Sequence, residues 1–295
     1  MIRYPVTEDE LRKKIEEEAR GWLNRAAQRT ARFREARQYD EPSGIWSEIK
    51  PVYMKLQRNK CAYCERKLAG LPHGLIEHDV EHFRPKRAVD AYPPNHDKYG
   101  RHLLRYDFST GGAFPDGYYL LAYHPLNYVA VCKPCNTPLK ANFFPISGTR
   151  HADAEHPRDL SSEKAWLIYP LGDGDDDPED VLTFTGIIPR PKHTFGEKMN
   201  RAQVIIDFFR LDTREELRQE RASQIVALYL ALDGAKNNPD LGMRSHFAKH
   251  VQRLIARGAP HCNCLRSFRR FYEDDPRQAR YYVEEAGEFL DSIGS

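Results

Sequence analysis

Two Cys-x-x-Cys pairs, Cys61-Ala-Tyr-Cys64 and Cys132-Lys-Pro-Cys135, carry the plainest chemistry in this chain. Two thiolates at that spacing can share one Zn²⁺ on a tight turn, and two such pairs complete the tetrahedron of a structural site. The competing reading is free or redox-active thiols. A redox pair wants a βαβ context after the first motif, and Glu65-Arg-Lys-Leu-Ala-Gly70 leads into a loop instead. Between the pairs lies Ile76-Glu-His-Asp-Val-Glu-His-Phe-Arg-Pro-Lys86. Strand alternation puts His78, Val80 and His82 on one face, with Glu77, Asp79, Glu81 and Phe83 on the other. An acid beside an imidazole at a strand end suits phosphodiester hydrolysis. The carboxylate of Glu81 could hold a hard divalent cation and neutral His82 could take a proton from water, while Arg84 and Lys86 could hold neighbouring phosphates. The plainer reading is a solvated edge strand. Asn136 directly follows Cys135, so bound zinc would fix its place, and Lys140, one turn later, is a further candidate contact to nucleic-acid phosphates. Asn127 stands just before the Tyr128-Val-Ala-Val131 run that leads into the second pair.

These residues need elements to hold them. Residues 7–38 have a helical pattern, opened by a Thr7/Glu10 capping box and striped by Leu11, Ile15, Trp22, Leu23 and Ala26. Asp40-Glu-Pro-Ser-Gly44 breaks it, and a second helix is predicted over 45–57 with Trp46, Ile49, Tyr53 and Leu56 buried. Residues 61–145 are rich in Gly, Pro, Asn and Tyr, and 91–116 reads as an insertion over the site. After 145 a linker leads to a loop-and-strand region over 166–188. Helices are predicted after an Asp212/Glu215 capping signature, ending near 234, and then over 241–257, 263–273 and 277–290.

At 295 residues, with 40% hydrophobic and 30% charged, the composition is that of an ordinary globular protein. No apolar run approaches the roughly 20 residues of a membrane span, and the first residues lack a signal peptide's apolar core, so a cytoplasmic location without a membrane partner is expected. Charge is uneven along the chain. Residues 1–60 hold 14 basic against 10 acidic residues (+4), 61–145 hold 10 against 8 (+2), and 146–295 hold 21 against 25 (−4). A basic front half fits contact with a polyanion.

With these residues in place, the chain resembles the HNH endonucleases of the four-cysteine zinc branch, whose site is a ββα-metal hairpin and helix. The matching residues are Asp79-Val-Glu-His82 with Pro85, Asn127, and Asn136 with Lys140, framed by the two Cys pairs. Cys61-Ala-Tyr-Cys64-Glu65, Val80-Glu-His-Phe-Arg-Pro-Lys86, Gly117-Tyr-Tyr-Leu-Leu-Ala-Tyr123, Cys132-x-x-Cys135-Asn136 and Asn142-Phe-Phe-Pro145 are similar to one bacterial subgroup, which includes the HNH partner of Septu-type anti-phage ATPases. Leu167-Ile-Tyr-Pro170, Asp177-Pro-Glu179 and Gly186-Ile-Ile-Pro189 are also similar to it. The likeness is specific over 60–146 and thinner to about 220. It implies His82 as general base, Glu81 and Asn136 as ligands of a catalytic Mg²⁺ or Mn²⁺, and Asn127 as the residue ordering the loop that holds the histidine. It also implies Cys61, Cys64, Cys132 and Cys135 as structural zinc ligands, a 5′-phosphate product, and an antiviral setting with an ATPase partner. Two departures stand out. The gap from His82 to Asn127 is longer than in minimal domains, and the usual Asn-Leu is Asn127-Tyr128.

Other features invite weaker readings. Arg20, Arg25, Arg29, Arg32, Arg34 and Arg37 face one acid, Glu35. Arg25, Arg29 and Arg32 share a helix face that could contact phosphates or could simply be solvated. His261-Cys-Asn-Cys264 offers three close donors and no fourth, which favours packed or surface thiols over a metal. Asp173, Asp175 and Asp177 have the spacing that opens a calcium loop, but Pro178 and Phe184 stand where glycine and glutamate are needed. The apolar stretches 204–209 and 225–232 read as core. The expectation is an α+β protein with N-terminal helices over 1–60, a zinc-stapled nuclease core over 61–146 and a mainly helical region over 147–295. It would cleave DNA. A non-catalytic zinc module and an RNase using the same site are the alternatives.

Overall fold

The computed structural model describes residues 1–294. It is an α+β protein in which helices predominate and strands form two separate two-stranded sheets. The chain divides into two compact units. One comprises residues 3–63 and 68–177, and the other comprises residues 1–2, 64–67 and 178–295. Two units thus replace the three stretches expected, because the N-terminal helices pack with the hairpin region instead of standing apart from it.

In the N-terminal unit, α1 (Glu8–Glu18) opens with the expected capping box: Glu10 N–H donates to Thr7 Oγ1 at 3.2 Å and Thr7 N–H to Glu10 Oε2 at 2.9 Å. The single helix predicted over 7–38 is two. It breaks where Gly21 takes a left-handed φ of 75°, and α2 (Trp22–Ala36) follows with Trp22, Ala26 and Phe33 buried. Trp22 has no exposed surface, and its indole N–H donates to Ile45 O at 3.0 Å. The second predicted helix is a 3₁₀ turn (Trp46–Ile49) running into α3 (Lys50–Leu56), whose Tyr53 hydroxyl donates to Pro125 O at 2.7 Å. One helical turn, α4 (Gly74–Glu77), precedes β1 (His78–His82), so the strand is shorter than the pattern over 76–83 suggested. The strand β1 pairs antiparallel with β2 (Tyr128–Cys132), with His78 opposite Cys132 and His82 opposite Tyr128. All five β2 residues are buried, and a short helical turn of π type, Cys135–Lys140, follows.

The C-terminal unit begins with α5 (Pro178–Val181) and the hairpin β3 (Leu182–Thr185) and β4 (Ile188–Pro191). Helices α6 (Glu197–Phe209), α7 (Glu215–Asn237), α8 (Leu241–Leu254), α9 (Cys262–Asp274) and α10 (Pro276–Gly294) complete it. Ile225, Leu228, Leu265, Phe268 and Ala279 form its core, and the 204–209 stretch is buried on α6 apart from Asp207. The Asp212/Glu215 signature does not cap α7. Arg214 occupies the N-cap and makes no side-chain cap bond.

Candidate metal centre and hairpin site

The two Cys pairs meet at the ends of the hairpin. All four thiols are buried, none forms a disulfide, and their sulfurs lie within 4.8 Å of one another. A tetrahedral Zn–S₄ site with bonds of about 2.3 Å has sulfur–sulfur edges of roughly 3.8 Å, so only a small contraction closes this cluster on an ion. The first turn is fixed to β2 by Ala62 N–H donating to Ala130 O at 3.0 Å. Buried Gln57 reinforces the joint: its amide donates to Lys60 O (3.0 Å) and Ala130 O (2.7 Å) and accepts from Ala130 N–H (2.8 Å). The cluster can bind a metal such as zinc, with every donor a soft thiolate.

The hairpin carries the acid and the imidazole. His82 Nε2 lies 3.1 Å from Ala122 O, and its ring meets Trp46 and Tyr128 edge to face at 4.9 and 5.0 Å. A carbonyl can only accept, so Nε2 carries the proton and the lone pair sits on Nδ1. Burial holds the His82 pKa well below its ordinary value, and the nearby Lys86 and Lys140 charges push the same way. Asn127 is fully buried. Its amide donates to Arg84 O and Leu121 O, both at 3.0 Å, and accepts from Arg84 N–H at 2.8 Å. It therefore ties the chain after β1 to the segment that presents the Ala122 carbonyl.

The acidic face pairs differently from the arrangement the resemblance implies. Glu81 faces Lys140 (Oε1 to Nζ, 3.1 Å), in a geometry not aligned as a hydrogen bond. Burial raises the Glu81 pKa and lowers that of Lys140 against their mutual attraction. Asn136 donates instead to Asp79 Oδ2 at 3.1 Å, and Lys133 pairs with Asp79 Oδ1 at 3.0 Å. Asp79 is thus the acid that meets Asn136. Strand alternation places it on the Glu81 face, but its pairing with Asn136, 57 residues away, leaves no mark in the local sequence.

Two of the expected phosphate contacts, Arg84 and Lys140, are engaged inside the protein. Arg84 is buried and pairs with Glu163 at 3.1 Å, with its guanidinium 5.1 Å from the centre of the Phe144 ring. Lys140 is fully buried on Glu81. Neither presents its charge to solvent, because each neutralises an interior carboxylate. Lys86 stays near the site, its Nζ 4.5 Å from the centre of the Trp46 ring that touches His82. The α2 arginines are also engaged: Arg25 with Glu48 (2.5 Å), Arg29 and Arg32 with Glu41 (3.0 and 3.1 Å), and Arg34 with Glu155 (2.7 Å). In the other unit His261, Cys262 and Cys264 are buried and packed, with His261 Nε2 2.8 Å from Glu220 and the Cys262 thiol donating to Glu65.

A cluster the sequence did not reveal is Glu8, His124 and His156, whose ligand atoms lie within 4.8 Å of one another. Its hydrogen bonds oppose a metal. Both imidazoles follow the same His-Pro-x pattern and accept at Nδ1 the backbone N–H two residues on, from Leu126 and Arg158, each at 3.1 Å. Neutral rings therefore carry their proton on Nε2, and His156 Nε2 lies 3.0 Å from Glu8. A cation would need those Nε2 lone pairs and would cost both turns their caps.

The class these observations define is an α+β protein with a buried four-cysteine site able to hold a metal such as zinc. No family profile, no curated protein and no solved structure matches the chain.

Proposed function

We propose that this chain is a metal-dependent endonuclease of the HNH type that hydrolyses DNA phosphodiester bonds. The observation that carries this reading is the setting of His82. Its Nε2 is committed to the Ala122 carbonyl at 3.1 Å, its Nδ1 has no protein hydrogen bond among the described residues, and it adjoins Glu81 on the same strand. A general base needs a neutral ring, a fixed tautomer and an uncommitted lone pair. Burial supplies the first and the Ala122 carbonyl the second.

Glu81, Asp79 and the amide oxygen of Asn136 are hard oxygen donors of the kind that hold Mg²⁺ or Mn²⁺. Such an ion, when bound, offsets charge on the attacked phosphate and on the leaving 3′-oxygen. His82 Nδ1 takes a proton from water as the water oxygen bonds to phosphorus. The bond from phosphorus to the 3′-oxygen then breaks, and that oxygen gains its proton from solvent. Lys86, held over Trp46, supplies positive charge beside the histidine. An antiviral role with an ATPase as partner follows from the family likeness of the Cys pairs and the Val80–Lys86 and Asn142–Pro145 motifs, and it is supported by that likeness alone.

One observation favours a second reading, a non-catalytic zinc module. Lys140 already neutralises Glu81, which a site built to hold a cation does not require. Supercoiled-plasmid cleavage with Mg²⁺, Mn²⁺ or EDTA separates the two, comparing wild type with His82→Ala beside an RNA lane. The nuclease reading expects divalent-dependent cutting that disappears in the variant. Zinc-loaded protein that leaves both polymers intact supports the module, and preferential cutting of RNA turns the assignment to an RNase.

A further inference from the structure

The α2 arginines are spent on carboxylates, yet a run of unspent positive charge lies elsewhere. Residues 241–272 contain seven Lys/Arg and no Asp/Glu, inside a region that is acidic as a whole. On α8 the apolar side is turned inward: Val251 is buried, and Phe247, Leu254 and Ile255 pack on the core. Lys249 and Arg253 stand two residues to either side of Val251, on the opposite face of the helix, and both are exposed. Arg257, also exposed, follows four residues on, just beyond the end of the helix. None of the three has a side-chain hydrogen bond or ion pair among the described residues. The four helical residues from Lys249 to Arg253 advance about 6 Å, a spacing that lets these two cations meet successive backbone phosphates.

We infer that the Lys249–Arg253–Arg257 face is a docking surface for the phosphate backbone of duplex DNA. The choice of DNA as occupant rests on the nuclease reading, whereas the charge complementarity does not. Cations without partners release counterions from the duplex at no cost in broken ion pairs, which the α2 arginines cannot do. The contact carries no base readout, so the affinity it supplies is independent of sequence and strongly dependent on salt.

The test is binding of the zinc-loaded full chain to a fluorescent 30-bp duplex with no added Mg²⁺ or Mn²⁺, which reads docking without cleavage, from about 50 to 200 mM salt. Lys249→Gln/Arg253→Gln/Arg257→Gln should lower the salt slope by about 2–3, near 0.9 per lost contact, and weaken binding at least about tenfold at the lowest salt. Lys13→Gln/Arg34→Gln/Arg37→Gln removes the same net charge from positions paired with Glu17, Glu155 and Asp153, and should leave the slope nearly unchanged. Thermal melts of both variants confirm that each is folded. Equal losses in the two variants, an unchanged slope in the first, no duplex binding by wild type, or tighter binding of an RNA of equal length would each overturn the inference. Because no cleavage is read, loss of binding in the α8 variant would stand even if His82 proved to have no catalytic role.

Discussion

Asn127 offers the sharpest test of how the hairpin site is held. Its side chain makes three buried hydrogen bonds, two to Arg84 and one to Leu121. In Asn127→Ala the Leu121 carbonyl keeps the His124 N–H, which lies 3.1 Å from it, but the Arg84 N–H and carbonyl lose the partners described for them. Two orphaned buried backbone groups at about 1–3 kcal/mol each, plus the third lost bond, give a destabilisation of about 3–5 kcal/mol. For a unit of this size that lowers the melting temperature by about 6–20 °C. Asn127→Asp separates the bonds further. A carboxylate still accepts from Arg84 N–H but faces two carbonyls with nothing to donate, so its folded pKa rises above the ordinary 3.9 or so. The folded state then binds more protons than the unfolded one. Its stability relative to wild type is therefore highest in acid and is lost as pH rises through the folded pKa. Denaturant melts at pH 5 and 7 read both effects, followed on the transition that includes the N-terminal unit. If the role in presenting the Ala122 carbonyl is right, the folded fraction of Asn127→Ala should also lose plasmid cleavage about tenfold or more through kcat, with KM little changed. An Asn127→Ala protein within about 1 kcal/mol of wild type and with unchanged kcat would refute this account of the site.

Further outcomes follow from the same geometry. The purified chain should carry about one equivalent of zinc and lose it in Cys135→Ser, with a fall in stability that a chelator reproduces on wild type; less than about half an equivalent after gentle purification would count against a structural site. Lys140→Met strands the Glu81 carboxylate in the interior and should cost about 3–5 kcal/mol in zinc-loaded protein with no added Mg²⁺ or Mn²⁺, whereas Glu81→Leu/Lys140→Met should recover most of that loss, as read by denaturant melts. Burial, aided by the neighbouring His156 charge, holds the His124 pKa down to about 3, so the unfolded chain binds a proton that the folded chain refuses. Stability is then lost as pH falls below about 6.5, by about 2 kcal/mol at pH 5, and His124→Asn should flatten the profile between pH 8 and 5 by that amount.

Local signals were legible where they involve a few neighbouring residues. The Thr7/Glu10 capping box, the paired cysteines and the alternation of β1 all follow from spacing alone. The break at Gly21 was not, because the apolar stripe runs on from Ile15 to Trp22 and only the backbone shows the left-handed turn between them. The fate of each charge was least legible. Arg84 read as a phosphate ligand because Glu163, which neutralises it, lies 79 residues away in sequence. The α2 arginines looked uncompensated because their acids, Glu41, Glu48 and Glu155, come from other elements. Averaging over 146–295 concealed the opposite case, since acids near 173–180 and beyond 272 masked a 32-residue stretch with none.

The buried Glu81–Lys140 pair bears on both readings of the site. Two charges taken out of water recover their desolvation cost only when geometry is good and the remaining hydrogen bonds are made. Here the ammonium is fully buried and not aligned to bond the carboxylate it faces. An apolar pair of the same volume would serve a scaffold at least as well. The pair therefore earns little as stability, and its use is better sought in the carboxylate it keeps on the strand beside His82. If Glu81 serves a cation, Lys140→Met should regain stability when Mn²⁺ is added, by an amount that rises with the logarithm of its concentration, and Glu81→Leu/Lys140→Met should not respond. If Glu81 is only structural, added Mn²⁺ will leave the stability of both zinc-loaded variants unchanged, and the hairpin is a zinc-built scaffold whose His82 is tethered to no catalytic end.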